Sequence, residues 1–282
     1  MSKIVFVCYH YLKHQAPFDR IWGHSLDLFR KHIDFFCQHY PPISVVDLDN
    51  YFEGKGELPE KCSILTFDDG LREHAETIAP YLSSRGLRGL FNVCPTIFDG
   101  LPSTPQIIHF ASAYYGVRRF MFLFKPYVDG RGGIELFNRL FADDDFQLNT
   151  NSGAISLLGK LKKTINHLTP YAVSRAALID FWEEKLKLDL PDIMSRVFMT
   201  REQFVSLAER HDIGVHTRTH YPIKTSSFDR EIFISEIVEG KSLLERIANQ
   251  PITSFAYPYG DAGSVIYDQA RLKGFKTLES VD

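Results

Sequence analysis

Short β-rich runs alternate with helical patterns along this chain, and no other feature narrows the possible folds as much. The runs are Lys3–Cys8, Ile43–Leu48, Ser63–Phe67, Gly89–Val93, Ile213–Val215, Thr253–Ala256 and Lys276–Leu278, each closing on polar residues or turn formers. Between several of them the apolar residues change to a helical period. Ser25–Gln38 sets Leu28, Phe29, Ile33 and Phe36 at that spacing, and Leu71–Arg85 stops before Gly86. Thr200–Glu209 opens with Thr200 and Gln203 in capping-box positions, and Phe228–Ala248 is a long amphipathic stretch. Strands that alternate with helices build βαβ units around a parallel sheet or barrel. The seven runs fit an incomplete barrel better than a six-stranded doubly wound sheet. The expected fold is α/β, an irregular seven-stranded (β/α) barrel of distorted TIM-like form.

From Pro95 to Phe198 the rhythm breaks: helical patterns recur (Gln106–Tyr115, Gly153–His167, Val173–Lys187) without a convincing strand. So long a gap exceeds a plain loop and reads as an insertion with its own helices. The expected division is a barrel from residues 1–98 and 197–282, with a helical insertion at 99–196 between the fourth and fifth strands. Basic clusters inside it, Arg118–Arg119 and Lys160, Lys162 and Lys163, read as solvated helix faces.

The chain of 282 residues carries 32 Lys+Arg against 35 Asp+Glu, so its near-neutral charge gives no electrostatic case for nucleic acid. With 44% hydrophobic residues it has enough apolar side chains for a packed core. Cys8, Cys37, Cys62 and Cys94 lie singly, without metal-ribbon spacing, and read as reduced thiols. The opening MSKIVFVCYHYLKH holds fewer apolar residues before Tyr9 than the roughly 7–15 of a secretory core. No stretch approaches the ~20 apolar residues of a membrane helix. A cytoplasmic protein without a transmembrane segment is expected.

Three segments carry chemistry. In Ile64-Leu65-Thr66-Phe67-Asp68-Asp69-Gly70 two adjacent carboxylates end an apolar strand, where their repulsion calls for a cation or a proton. Gly70 permits a sharp turn, and the same residues also suit a plain turn with Asp69 capping the next helix. Gly214-Val215-His216-Thr217-Arg218-Thr219-His220 sets two imidazoles four residues apart, which on a helical turn stacks both on one face for a metal. Thr217 stands where zincin proteases have glutamate. An Asp/His/His set leaves positions open for water and substrate, as a catalytic metal requires. Phe255-Ala256-Tyr257-Pro258-Tyr259-Gly260 ends another strand with an irregular backbone whose N–H groups can point into a pocket.

In this order the three segments resemble the polysaccharide deacetylase family, carbohydrate esterase family 4 with its NodB-homology domain. Thr66–Gly70 is similar to its TFDDG motif, His216–His220 to its His-[Ser/Thr]-x-[Ser/Thr]-His motif, and Tyr257–Gly260 to its proline-tyrosine-glycine motif. The family fold is an irregular seven-stranded (β/α) barrel. The resemblance implies Asp68 as general base, Asp69, His216 and His220 as ligands of a divalent metal, expected to be zinc, and the Tyr259 N–H as oxyanion holder. It assigns Tyr257 and Pro258 to substrate contact.

Tyr257 stands where the family often has an arginine that orients the base, a form similar to the exopolysaccharide and lipopolysaccharide-biosynthesis branch. Cys8-Tyr9-His10-Tyr11 also resembles the first strand of that branch. The family's late Leu-x-His, source of the general acid, has no counterpart within 282 residues. Either a following segment supplies it or another residue does; His10 and His74 are the candidates. The implied activity is metal-assisted removal of an N-acetyl group from an amino sugar, nucleotide-, lipid- or polymer-linked. A sugar deformylase of the same fold and a degenerate glycan-binding barrel are the alternatives.

Overall fold

The computed structural model describes residues 2–13, 20–129, 159, 162, 171–186, 190–223, 229–260, 268, 270–271 and 273–279. Six strands form one sheet in chain order: β1 (Lys3–Tyr9), β2 (Lys61–Asp68), β3 (Leu90–Val93), β4 (Asp212–Val215), β5 (Ser254–Ala256) and β6 (Thr277–Glu279). Every pairing is parallel. Helical segments return the chain between successive strands from β1 to β5, as parallel neighbours require. The sheet curls like part of a barrel, so that Asn92 on β3 reaches Glu279 on β6.

Side chains alternate along each strand, and paired residues of parallel neighbours share a face. The register sets Asp68 opposite Asn92, Asn92 opposite Gly214, Gly214 opposite Ser254 and Ser254 opposite Thr277. These positions form one layer of the inner face, with Cys8, His10, His216 and Glu279 on the same face of their strands or just past them. The opposite face carries aromatic packing: Tyr9 stacks on Phe67 at 5.5 Å and Phe67 on Phe91 at 4.8 Å. Gly89 lets that stack close, because a Cβ there would lie 2.8 Å from Phe67 and 3.1 Å from Phe91.

Residues Ile43–Leu48, expected as a strand, contribute only an isolated parallel bridge, Pro42 to Ser63. The segment then turns into a helix, Val45–Phe52. The cause is local: Ser44 caps the helix, accepting from the Asp47 N–H, while Asp47 returns a bond to the Ser44 N–H. The β-branched residues that suggest a strand instead bury one helix face, Val45 and Leu48, against Ile64 and Leu90 at the lower end of the inner face. Six strands rather than seven are therefore found among the described residues.

Asp212 and His211, at the entry to β4, are both structural. Asp212 accepts from the Val45 N–H at 2.9 Å and pairs with Arg88 at 2.9 Å. His211 is buried, bonded to Ser83 and accepting from the Gly89 N–H. The expected Thr200–Gln203 capping box opens the helix Arg201–Ala208.

The chain divides into two compact units, one of Met1–Lys13, Trp22–Leu101 and Ile193–Asp282, the other of His14–Ile21 and Pro102–Asp192. In the second, helices Thr104–Tyr115, Val117–Asp129 and Tyr171–Phe181 pack on aromatic contacts. Phe181 meets Phe120 at 5.2 Å and Phe124 at 5.6 Å, and Trp182 meets Phe110 at 5.8 Å. The helical pattern Gly153–His167 lies outside the described residues.

Replacing Ser44 by Ala removes the cap that turns a β-prone segment helical, at a cost of about 1 kcal/mol. Denaturant unfolding is expected to show that loss with an unchanged slope. A loss near zero would mean that packing against Ile64 and Leu90 suffices.

Candidate active site

The C-terminal ends of the strands converge on one mouth, where a (β/α) barrel gathers reactive groups. Asp68 closes β2, and its carboxylate accepts from Asn92 Nδ2 at 2.8 Å and from Cys8 Sγ at 3.2 Å. Burial by itself raises the Asp68 carboxyl; the His216 and His10 charges and the bonds from Asn92 and Cys8 outweigh it, so its pKa lies below the ordinary value. An ionised carboxylate, fixed by donors on two neighbouring strands, is suited to accept a proton. Desolvation and the adjacent Asp68 charge push the Cys8 thiol far up, leaving it a neutral donor.

The next residue turns away. Asp69 has φ 81° and Gly70 φ 74°, so the two carboxylates diverge and Asp69 meets both motif histidines. Its Oδ1 is 3.6 Å from His220 Nε2 and 4.0 Å from His216 Nε2. The ligand atoms of Asp69, His216 and His220 all lie within 4.8 Å of one another, and all three residues are buried. His216 Nδ1 donates to the Ala256 carbonyl at 2.9 Å, which leaves Nε2 turned toward Asp69. Asp69 Oδ1 is buried without a hydrogen-bond partner among the described residues. A carboxylate oxygen with two imidazole nitrogens around it fits a divalent metal.

The histidines do not ride on a helical turn. His216 follows β4 directly, Thr217 and His220 have φ 53° and 64°, and Thr217 Oγ1 closes the bend by accepting from the Tyr221 N–H. That bend sets the two rings perpendicular, with centroids 4.7 Å apart. Tyr259, at φ 64°, lays its ring edge-on to His220 at 4.9 Å. Four of the five non-glycine residues with positive φ among the described residues (Asp69, Thr217, His220, Tyr259) therefore sit at this mouth. Each costs of order 1 kcal/mol, which the surrounding packing must hold. Tyr257 is buried, its N–H donating to the Glu279 carbonyl at 3.0 Å, and Pro258 follows it into the turn.

The two candidate acids part company. His10 is exposed at the mouth, its Nδ1 3.5 Å from Cys8 Sγ. His74 is fully buried behind it, edge-on to Phe67, with Nε2 donating to the His10 carbonyl at 2.8 Å. Burial lowers its pKa to about 4. A ring neutral at pH 7 and spent on a backbone bond orients His10 and delivers no proton. Glu73 beside it accepts from the Leu12 N–H and fixes the exit of β1.

Two polar residues of the inner layer escape the motif reading, Asn92 and Glu279. Asn92 Nδ2 bonds Asp68 and also lies 3.4 Å from Glu279 Oε2. Gly214 makes room for it, since a Cβ there would stand 2.0 Å from Asn92 Oδ1. Each closes or adjoins the end of a β-rich run, as Asp68 does; position alone is their signal in the sequence.

The sequence profile described as polysaccharide deacetylase matches residues 193–278, spanning β4 to β6. No curated protein matches the sequence. IcaB from Ammonifex degensii shares the fold at 16% identity and TM-score 0.55, over 99% of this chain and 83% of that one. The de-N-acetylase from Aggregatibacter actinomycetemcomitans does so at 16% identity and TM-score 0.56, over 98% and 86%. The BpsB deacetylase domain from Bordetella bronchiseptica follows at 12% identity and TM-score 0.55, over 100% and 88%.

His74 makes the fold sensitive to acid. Its native pKa near 4 lies below the ordinary 6.5, so its contribution is full above about pH 6.5 and is lost as pH falls toward 4. The difference amounts to about 3 kcal/mol. Unfolding curves of wild type and His74→Gln from pH 7.5 to 4 are expected to converge by that amount; parallel curves would refute the assignment.

The motif residues gathered at one mouth thus accompany a polysaccharide deacetylase profile matched over residues 193–278 and a fold similar to that of the solved deacetylases.

Proposed function

We propose that this chain is a metal-dependent hydrolase that removes the N-acetyl group from an amino sugar destined for surface polysaccharide or lipopolysaccharide. The observation that carries the reading is the division of labour between adjacent carboxylates: Asp69 turned to two histidines, Asp68 held apart by Asn92 and Cys8. The fold shared with deacetylases supports it.

Asp69, His216 and His220 would hold the ion. Bound there, a divalent metal, most simply zinc, supplies Lewis-acid polarisation of the acyl oxygen and a water of lowered pKa. Asp68 takes the proton from the attacking water, its carboxylate kept in line by the Asn92 and Cys8 donors. The backbone N–H of Tyr259, in a turn that Pro258 and Gly260 hold irregular, faces the developing oxyanion. Tyr257 and Pro258 shape the wall against the sugar.

In this reading residues 1–98 with 197–282 form the catalytic body, and residues 99–196 are inserted between β3 and β4. The substrate is an acylated amino sugar, nucleotide-, lipid- or polymer-linked. The free state of all four cysteines suits a reducing compartment and hence cytoplasmic work on a precursor.

Purified protein is expected to carry about one zinc, and Asp69→Ala with His216→Ala to carry none and release no acetate. Asp68→Asn is expected to keep the metal while losing turnover by about 100-fold or more. Acetate release that persists without metal would refute the reading, formate release in its place would identify a deformylase, and glycan binding without hydrolysis would mark a degenerate barrel.

A further inference from the structure

Resting on the deacetylase reading, we propose that Glu279, at the end of β6, is the proton donor to the leaving nitrogen in this enzyme. The argument begins with the curl of the sheet. Glu279 stands on the same inner face as Asp68, three strands from β3, and the Asn92 amide lies between them. Its Nδ2 is 2.8 Å from Asp68 Oδ1 and 3.4 Å from Glu279 Oε2. One amide nitrogen cannot serve two buried carboxyl groups equally, and the one with the poorer donor set is left short of partners.

The surroundings decide which that is. Asp68 has a close donor in Asn92 and a second in Cys8. Among the described residues the Asn92 amide and the Asp68 carboxylate face Glu279, and residue 257 is a buried tyrosine. Burial first, and the Asp68 charge second, hold the Glu279 carboxyl well above the ordinary range. Its Oε1 is buried with no hydrogen-bond partner among the described residues, an unmet polar atom close to Asp68. Paired carboxyls whose environments drive their proton affinities apart are the arrangement by which one site holds both a base and an acid.

The step balances without a further reagent. As the tetrahedral adduct collapses, the C–N bond breaks, its electron pair goes to nitrogen, and the nitrogen takes the Glu279 proton. Asp68, protonated by the attacking water, releases its proton at the open mouth, and Glu279 is reprotonated. The acyl group has gained OH and the amine H.

The test separates leaving groups. An amide must have its nitrogen protonated, whereas 4-nitrophenolate leaves unaided. Zinc-loaded wild type and Glu279→Gln are compared on an N-acetylated hexosamine oligosaccharide and on 4-nitrophenyl acetate. The variant, with unchanged zinc content and melting temperature, is expected to lose about 100-fold or more in kcat on the amide and less than about 5-fold on the ester. Glu279→Asp is expected to recover part of the amide rate. Equal losses on both probes, or the same leaving-group split in His10→Gln instead, would overturn the assignment. Where Glu279→Gln does not fold, infrared titration of the wild type decides, a carboxylic acid band that shifts on Glu279→Asp substitution supporting the proposal and an unchanged spectrum overturning it. A wild type that hydrolyses neither probe overturns the deacetylase reading itself, and the donor role falls with it.

Discussion

The parallel register between β2, β3 and β4 sets Asp68, Asn92 and Gly214 side by side. The rest of the site hangs on that alignment. A carboxylate at the end of a buried strand is costly unless donors meet it. Asn92 meets it at 2.8 Å only because Gly214 has no side chain to occupy the same space. Slipping the register by one residue would turn all three to the aromatic face. The flat stack of Tyr9, Phe67 and Phe91 on that face would then be lost with them. Packing on one side of the sheet and polar satisfaction on the other therefore select the same pairing.

Strain at the mouth is the counterpart of that order. Asp69, Thr217, His220 and Tyr259 all take left-handed backbone, and each belongs to one of the three motifs. Regular strand or helix could not aim Asp69 away from Asp68, nor bring two histidines four apart into perpendicular contact. Strand ends fix where these loops start, and the loops spend backbone strain to set where their side chains finish. Bonds such as His216 to the Ala256 carbonyl, made between neighbouring strand ends, hold the result.

Much of the site was legible because its motifs are local. Two carboxylates and a glycine after an apolar run, or two histidines four apart after another, announce their chemistry within seven residues. What was not legible depended on partners far away in sequence. The helix Val45–Phe52 reads as a strand from its β-branched start, and a reciprocal bond between Ser44 and Asp47 decides against it. His74 and His10 look equivalent as histidines near the mouth. One is sealed behind aromatic rings and bonded to the other's backbone, and only packing separates them. Asn92 and Glu279 belong to no motif, yet lie 187 residues apart in the chain and 3.4 Å apart in space.

The sequence by itself determined the alternating α/β plan, the three reactive segments and their order along the strands, since residue type and period of two or 3.6 are local properties. Tertiary structure alone decided which carboxylate faces the histidines, which histidine is sealed from solvent, and which buried carboxyl lies beside Asp68. Those outcomes follow from register, curl and burial, which set dielectric and donor count around each group, and no stretch of sequence carries them.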